Sequence, residues 1–261
     1  MQILDKIVVA KNREVDLKKS LIPIRQLEKS ALFDRSVNSL AARLQTSKSG
    51  IIAEHKRRSP SKPMINNSLS VHEVIKGYSE AGVCGISVLT DSQFFGGSLD
   101  DLLFARSSVR TPLLRKEFII DPYQILEAKA HGADVVLLIA AILTTAEVRS
   151  FTDLAVSIGL EVLLEIHNEE ELKTNLIPEI AMIGVNNRNL KTFEVSVETS
   201  ASLADQIPDD YIKVSESGIN SIETIVGLRQ CGFKGFLVGE NFMKSKNPAK
   251  EAQEFISQLE K

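Results

Sequence analysis

The sequence predicts an α/β fold, a closed (β/α)8 barrel with an N-terminal helical extension, on three observations. Eight short apolar runs follow one another from about residue 50 onward. Amphipathic stretches of helical period separate them, the alternation that builds a parallel sheet covered by helices. No strand end carries the GxGxxG turn expected of a doubly wound dinucleotide-binding sheet. At 261 residues the chain has the usual length of one such barrel. Residues 1–261 are therefore read as a single barrel domain, with no linker or low-complexity segment to divide them.

Residues 1–48 precede the first barrel strand and are expected to form extra helices packed on the barrel. Ile3, Leu4, Ile7, Val8 and Val15 recur at helical spacing, which predicts an amphipathic helix rather than a signal peptide. The predicted strands are Ile51–Lys56, Gly85–Thr90, Leu113–Lys116, Val135–Ala140, Glu161–Ile166, Ala181–Val185, Ile212–Ser215 and Gly235–Val238. Predicted helices between and after them include Pro122–His131, Thr145–Ile158, Ser221–Gln230 and Pro248–Leu259. Asp121 before Pro122, and Thr144–Thr145 before Ala146, read as helix starts. Gly82, Gly132, Gly159 and Gly232 stand where helix C-terminal glycines belong.

Composition narrows the function classes. Charged residues make up 25% and hydrophobic residues 43%, the balance of a globular chain, and the net charge of −3 gives no basic signal for nucleic acid. The longest apolar run, Val135–Leu143, is too short to span a bilayer. Cys84 and Cys231 lie far apart in apolar segments and match no CxxC pattern, so a reduced, cytoplasmic protein is expected. The expected assembly is a monomer or weak homodimer.

Strands of a parallel barrel are buried on both faces and should be almost wholly apolar, so their polar residues carry information. Glu54 and Lys56 lie two apart on the first strand and project to one side, with His55 on the other. Lys116 ends the third strand, Glu165 lies near the end of the fifth, and Asn186 follows the sixth, with Arg188 two residues on. Glu216 and Ser217 follow the seventh strand, and Gly239 follows the eighth. All fall at the C-terminal strand ends, where barrel enzymes build their sites. A single buried ion pair there could simply neutralise itself; six polar strand ends on one face point to a site.

No HxH, HExxH or Asp/His ligand spacing is present, so neither a metal nor a cofactor is expected. The four histidines, His55, His72, His131 and His167, read as surface or supporting residues. What remains is lysine as acid or anchor and glutamate as base, the acid lysine being expected to have its pKa lowered by a second cation. Ser217-Gly218 and Gly239 permit close backbone approach, and the segment after Gly239 can turn a short helix toward an anion. These loops predict a phosphate site, with Ser59 in the first loop able to close over the same ligand.

Seven segments resemble the indole-3-glycerol phosphate synthase family, in order and over essentially the whole chain. They are IIAEHKRRSPSK (51–62), SVLTDSQFFGGS (87–98), LLRKEFIIDPYQI (113–125), LEVLLEIHNEEEL (160–172), IGVNNRNL (183–190), VSESGI (214–219) and GFLVGENFM (235–243). The resemblance implies a TIM barrel that turns 1-(2-carboxyphenylamino)-1-deoxyribulose 5-phosphate into indole-3-glycerol phosphate, carbon dioxide and water, in tryptophan biosynthesis. It implies Lys116 as the general acid of ring closure, Glu165 as the base of dehydration and Lys56 as the holder of the anthranilate carboxylate. Glu54, Asn186 and Glu216 would orient the lysines and the ribulose hydroxyls, with Arg188 as electrostatic support. Ser59, Ser217, Gly218, Gly239 and Glu240, the last through its backbone, would form the phosphate end, and Phe95 would wall the aromatic ring. The division of the acid role between Lys56 and Lys116 stays open at this level. Pro63 stands where the family loop commonly has glycine, and Asn189 where it often has aspartate.

Other readings are a phosphosugar isomerase, a Schiff-base aldolase with Lys116 as its lysine, or a barrel that only binds a phosphorylated ligand. An aldolase has no need of Glu54, Lys56 or the Ser-Pro-Ser loop.

Overall fold

The computed structural model describes residues 3–260, so the outermost positions of the expected 1–261 domain and 1–48 extension lie outside the described residues. Eight parallel strands close in sequence order, β1 (Ile51–His55) pairing with β8 (Gly235–Val238). Between them run β2 (Gly85–Leu89), β3 (Leu113–Lys116), β4 (Val135–Ile139), β5 (Glu161–Ile166), β6 (Met182–Asn186) and β7 (Ile212–Glu216). The helices that cover them are α4 (Val71–Glu80), α5 (Leu99–Ser108), α6 (Pro122–Ala130), α7 (Thr145–Ser157), α8 (Glu169–Thr174), α9 (Glu198–Leu203), α10 (Ile222–Gln230) and α12 (Pro248–Leu259). A short helix, α11 (Glu240–Met243), follows β8 directly.

The strands form because their apolar side chains are buried on both sides. Val136, Leu138, Val162 and Leu164 point outward into the layer under the helices, while Val135, Leu137, Leu163 and Met182 fill the barrel. Three strand ends differ from expectation in a way that bears on the site. Lys56 falls just outside β1, whereas β6 and β7 run on to include Asn186 and Glu216, which pair across the ladder. The N–H of Asn187 continues that ladder to the carbonyl of Glu216 at 2.9 Å.

Helix punctuation follows the expected chemistry. Asp121 caps α6 in a capping box with Gln124 and Pro122 in the first turn, and Thr144 caps α7 in a box with Glu147. Gly82, Gly132, Gly159 and Gly232 all adopt positive φ beyond their helices.

The extension contributes α1 (Ile3–Leu21), α2 (Ile24–Leu27) and α3 (Leu40–Thr46). Leu40 and Leu44 of α3 join the interior barrel cluster, and Glu161 at the foot of β5 accepts hydrogen bonds from the backbone N–H groups of Leu40 and Ala41. This helix plugs the end of the barrel opposite the site. The buried stripe of α1 is Ile7, Lys11 and Val15, while Ile3 and Leu4 reach the rim of the cavity described below. Cys84 is buried and Cys231 partly so, neither in a disulfide. Among the described residues no helix is long and apolar enough to cross a membrane.

Candidate active site

The C-terminal ends of the strands surround a cavity of about 690 Å³ lined by every residue the sequence nominated. On the floor, Lys116 at the end of β3 extends its ammonium between two carboxylates, 2.8 Å from Glu165 Oε2 and 2.5 Å from Glu216 Oε2. Lys56 Nζ lies 2.6 Å from Glu54 Oε1, and Ser87 Oγ donates to the other oxygen of Glu54 at 3.3 Å. Asn186 Nδ2 donates to Glu165 Oε1 at 3.0 Å. The floor therefore holds three carboxylates and two lysines in two contact groups, Lys116 with Glu165 and Glu216, and Lys56 with Glu54.

Burial alone would strip the proton from Lys116, but the carboxylates of Glu165, Glu216 and Glu54 outweigh it and hold the group above the usual lysine range. This corrects the expectation that a second cation lowers it. The second cation, Lys56, is paired with Glu54, and the groups touching Lys116 are anions. For Glu165, burial works upward, yet Lys116 and His167 draw it well below the usual carboxylate range. Glu216 goes the other way: burial raises it, and its neighbours Glu165 and Glu54 add to that despite Lys116. The two carboxyls on one lysine are thus driven apart, the pattern that separates a base from its partner.

At the other end of the cavity the backbone changes hand. Ser217 and Gly218 have φ of 67° and 77°, and Gly239 starts α11. The Glu240 carboxylate is tied to Lys62 and, at 2.6 Å, to Lys244. Ser59 sits in a tight turn closed by reciprocal backbone bonds with Lys62 (2.8 and 3.0 Å), and Pro63 follows that turn without costing it a donor. Phe95 packs against Phe118 with ring centroids 5.8 Å apart, forming one wall. Arg188 extends along its own loop, Nη1 donating to the carbonyl of Phe193 at 3.1 Å.

A family model described as indole-3-glycerol phosphate synthase matches residues 4–255. The chain belongs to this family. An indole-3-glycerol phosphate synthase from Bacteroides thetaiotaomicron is 48% identical over 99% of each chain. One from Koribacter versatilis is 42% identical over 94% of this chain and 95% of its own. A solved thiamine phosphate pyrophosphorylase from Pyrococcus furiosus superposes with a TM-score of 0.57 at 14% identity, covering 81% of this chain and 97% of its own, a likeness of fold alone.

Membership of the indole-3-glycerol phosphate synthase family also sets in relief the residues that sequence reasoning missed. Asn187 is buried; its Nδ2 donates to Ser215 Oγ (2.9 Å) and to the carbonyl of Ser217 (3.0 Å), while Oδ1 accepts from the N–H and hydroxyl of Ser200. These bonds hold Ser217 in a left-handed conformation that costs a non-glycine residue on the order of 1–3 kcal/mol. Gly184 and Gly239 make room: a methyl group on Gly184 would stand 2.4 Å from Glu216 Oε1, and one on Gly239 would stand 2.7 Å from Glu54 Oε1. Asn189 Oδ1 accepts from the N–H groups of Lys191 and Thr192, so the amide shapes a turn away from the floor. His167, too, touches Glu165.

Proposed function

We propose that the cavity performs the ring closure implied by the family. It takes 1-(2-carboxyphenylamino)-1-deoxyribulose 5-phosphate to indole-3-glycerol phosphate with loss of carbon dioxide and water. The observation that carries this reading is Lys116, a buried ammonium held between Glu165 and Glu216 at the centre of a cavity with a cationic end and a backbone-lined end. Lys116 donates a proton to the ketone oxygen as the aromatic carbon attacks, when an alkoxide would otherwise develop. Lys56 holds the anthranilate carboxylate, exchanging Glu54 for it, and Arg188 supports that charge. Glu165, the one of the two carboxyls on Lys116 that is held ionised, is the base that removes the carbon proton in dehydration. Glu54, Asn186 and Glu216 orient the lysines and the ribulose hydroxyls. Phe95 walls the ring.

Ser59, Ser217, Gly218, Gly239 and the backbone of Glu240 receive the phosphate. Anchoring the two charged ends folds a flexible substrate onto itself, which is where positioning contributes most to rate.

A Schiff-base aldolase needs a lysine whose proton is easily lost. The opposite environment of Lys116 disfavours that reading.

Appearance of indole fluorescence on mixing protein and substrate tests the proposal, with Lys116→Ala alongside. The wild type should generate the signal, and the variant should lose about 10²–10⁴-fold in rate. A folded wild-type protein that binds the substrate and stays dark would sink the reading.

A further inference from the structure

The proposed reaction does not conserve protons. The ketone oxygen takes two on its way to water, one comes off carbon, and the carboxylate leaves as carbon dioxide. One proton per turnover must therefore enter from solvent, and it must reach Lys116 beneath a bound substrate. An inference about that route rests on the function proposed above.

We propose that His167 and Glu171 form a proton path from solvent to Glu165, with His167 acting as the positioning and relay residue between the two carboxylates. His167 directly follows β5, and its ring stands between Glu165 on that strand and Glu171 on α8. Nε2 lies 3.4 Å from Glu165 Oε1 and Nδ1 lies 3.2 Å from Glu171 Oε2. Nε2 is buried and makes no hydrogen bond among the described residues, and Glu165 Oε1 is the carboxylate oxygen that stands beside it. Glu171 is fixed in turn: Oε2 accepts the backbone N–H of His167 at 2.8 Å, and Oε1 accepts from Asn168 Nδ2 at 2.7 Å. On the far side, Glu165 Oε2 meets Lys116.

The resulting chain, Glu171–His167–Glu165–Lys116, runs from a partly solvated carboxylate to the acid, with its one open link between His167 Nε2 and Glu165. Side-chain exposure falls along its first three members, from 19% at Glu171 to 12% at His167 and 5% at Glu165. A closing movement of about 0.5 Å brings Nε2 within ordinary hydrogen-bond distance of Glu165. Each delivery breaks the Nε2–H bond and forms O–H on Glu165 Oε1. Rotation of the protonated carboxyl turns that O–H to the Lys116 amine, and a flip of the ring, left with only its Nδ1–H, presents the bare Nε2 to Glu171 and water, where it is reprotonated. Two protons go to the substrate oxygen, one returns from carbon to Glu165, and the path supplies the difference.

The charge state of His167 agrees with this use. Burial alone would keep the ring neutral, but Glu165 and Glu171 overcome it and lift the group to about 9, so the relay is loaded at neutral pH. Those two carboxylates are the charged groups that face it, one from its own strand and one from α8, with Lys116 and Glu216 reaching it across Glu165.

Single-turnover formation of the indole product in the wild type, His167→Asn and Glu171→Gln tests the path, with thermal unfolding confirming that each variant is folded. His167→Asn should slow the step about tenfold to a hundredfold, with KM within about twofold. Its rate should lose the alkaline limb seen in the wild type near 9, and added imidazole should restore activity. Glu171→Gln should show a smaller fall in the same direction. A wild-type rate in His167→Asn would overturn the path. So would a loss that imidazole does not relieve and that leaves the pH profile unchanged in shape, since that marks a packing role. A wild-type protein forming no indole would overturn both this inference and the function beneath it.

Discussion

Gly184 lies in β6 beside the reacting floor, and the space its missing side chain leaves is occupied by Glu216. Any Cβ there would stand 2.4 Å from Glu216 Oε1 and 3.2 Å from Leu163 Cδ1, and the carboxylate is the group able to move. Gly184→Ala should therefore swing Glu216 off Lys116, from which it now stands 2.5 Å. A misplacement of that order costs about 10²-fold in rate. Gly227→Ala serves as the control, since nothing lies within 4 Å of a methyl there and the site is remote. Single-turnover kinetics on both variants checks this; equal rates would mean Glu216 takes no part in seating the acid. Gly184 was illegible in the sequence because glycine leaves no mark in a strand pattern until its cross-strand neighbour is known. Lys116, Glu165 and Glu216 were legible for the opposite reason, as charged residues in runs that burial should have kept apolar. The sign of the shift on Lys116 was not, because it depends on which oppositely charged group lies within 3 Å.

At the scale of elements, the strands could be located because parallel strands buried on two faces spell continuous apolar runs, and the helix starts because their capping residues are chemically distinctive. The role of α1 was only half visible. Its apolar spacing predicted a helix lying on the body, but the most consequential residue of its buried face is a lysine. Lys11 is 1% exposed and bonds to Glu14 (2.8 Å), Asp91 (2.9 Å) and Glu117 (3.1 Å). Asp91 Oδ1 in turn accepts the N–H groups of Phe94 and Phe95, and Glu117 Oε1 accepts that of Phe118. The extension thereby holds both aromatic walls of the cavity. Lys11→Met leaves Asp91 buried without its cation and Glu117 with only Arg115, at 3.7 Å, a change that costs about 3–5 kcal/mol. For a chain of this size that lowers the melting temperature by roughly 10 °C. Thermal unfolding should show the drop, and substrate KM should rise as Phe95 and Phe118 loosen. An unchanged melting temperature would mean that α1 is held by Ile7 and Val15 alone.

For the whole molecule, two histidines set opposite limits on stability. His55 faces away from the cavity, 1% exposed, with burial and then Arg57 pushing it down to about 4 against the pull of Asp101 and Glu54. Its folded value lies below its ordinary 6.5, so the unfolded chain binds the proton more tightly. The contribution of His55 is present above 6.5 and is lost as pH falls through about 4. His167 is the reverse: its folded value, about 9, lies above 6.5, so its contribution is complete below 6.5 and is lost as pH rises through about 9. Glu216 is raised from 4.5 to about 7, so its contribution is complete below 4.5 and is lost as pH rises through about 7, against the His55 slope over most of that window. Glu165 and Glu240 are both lowered below the ordinary carboxylate value of 4.5, so their contributions fade only on the acid side of it, beneath most of the His55 window. The melting temperature should therefore change little between about 4.5 and 6.5, where His55 and Glu216 offset each other, and fall as pH rises toward 9. His55→Phe should uncover the Glu216 loss between 4.5 and 7 and leave the slope above it; His167→Gln should reduce the fall between 6.5 and 9 and leave the rest. Melting curves from pH 4 to pH 9 on the three proteins read this directly. If His167→Gln kept the full fall between 6.5 and 9, the charge on His167 would not be coupled to folding, since the Glu216 loss is complete near 7.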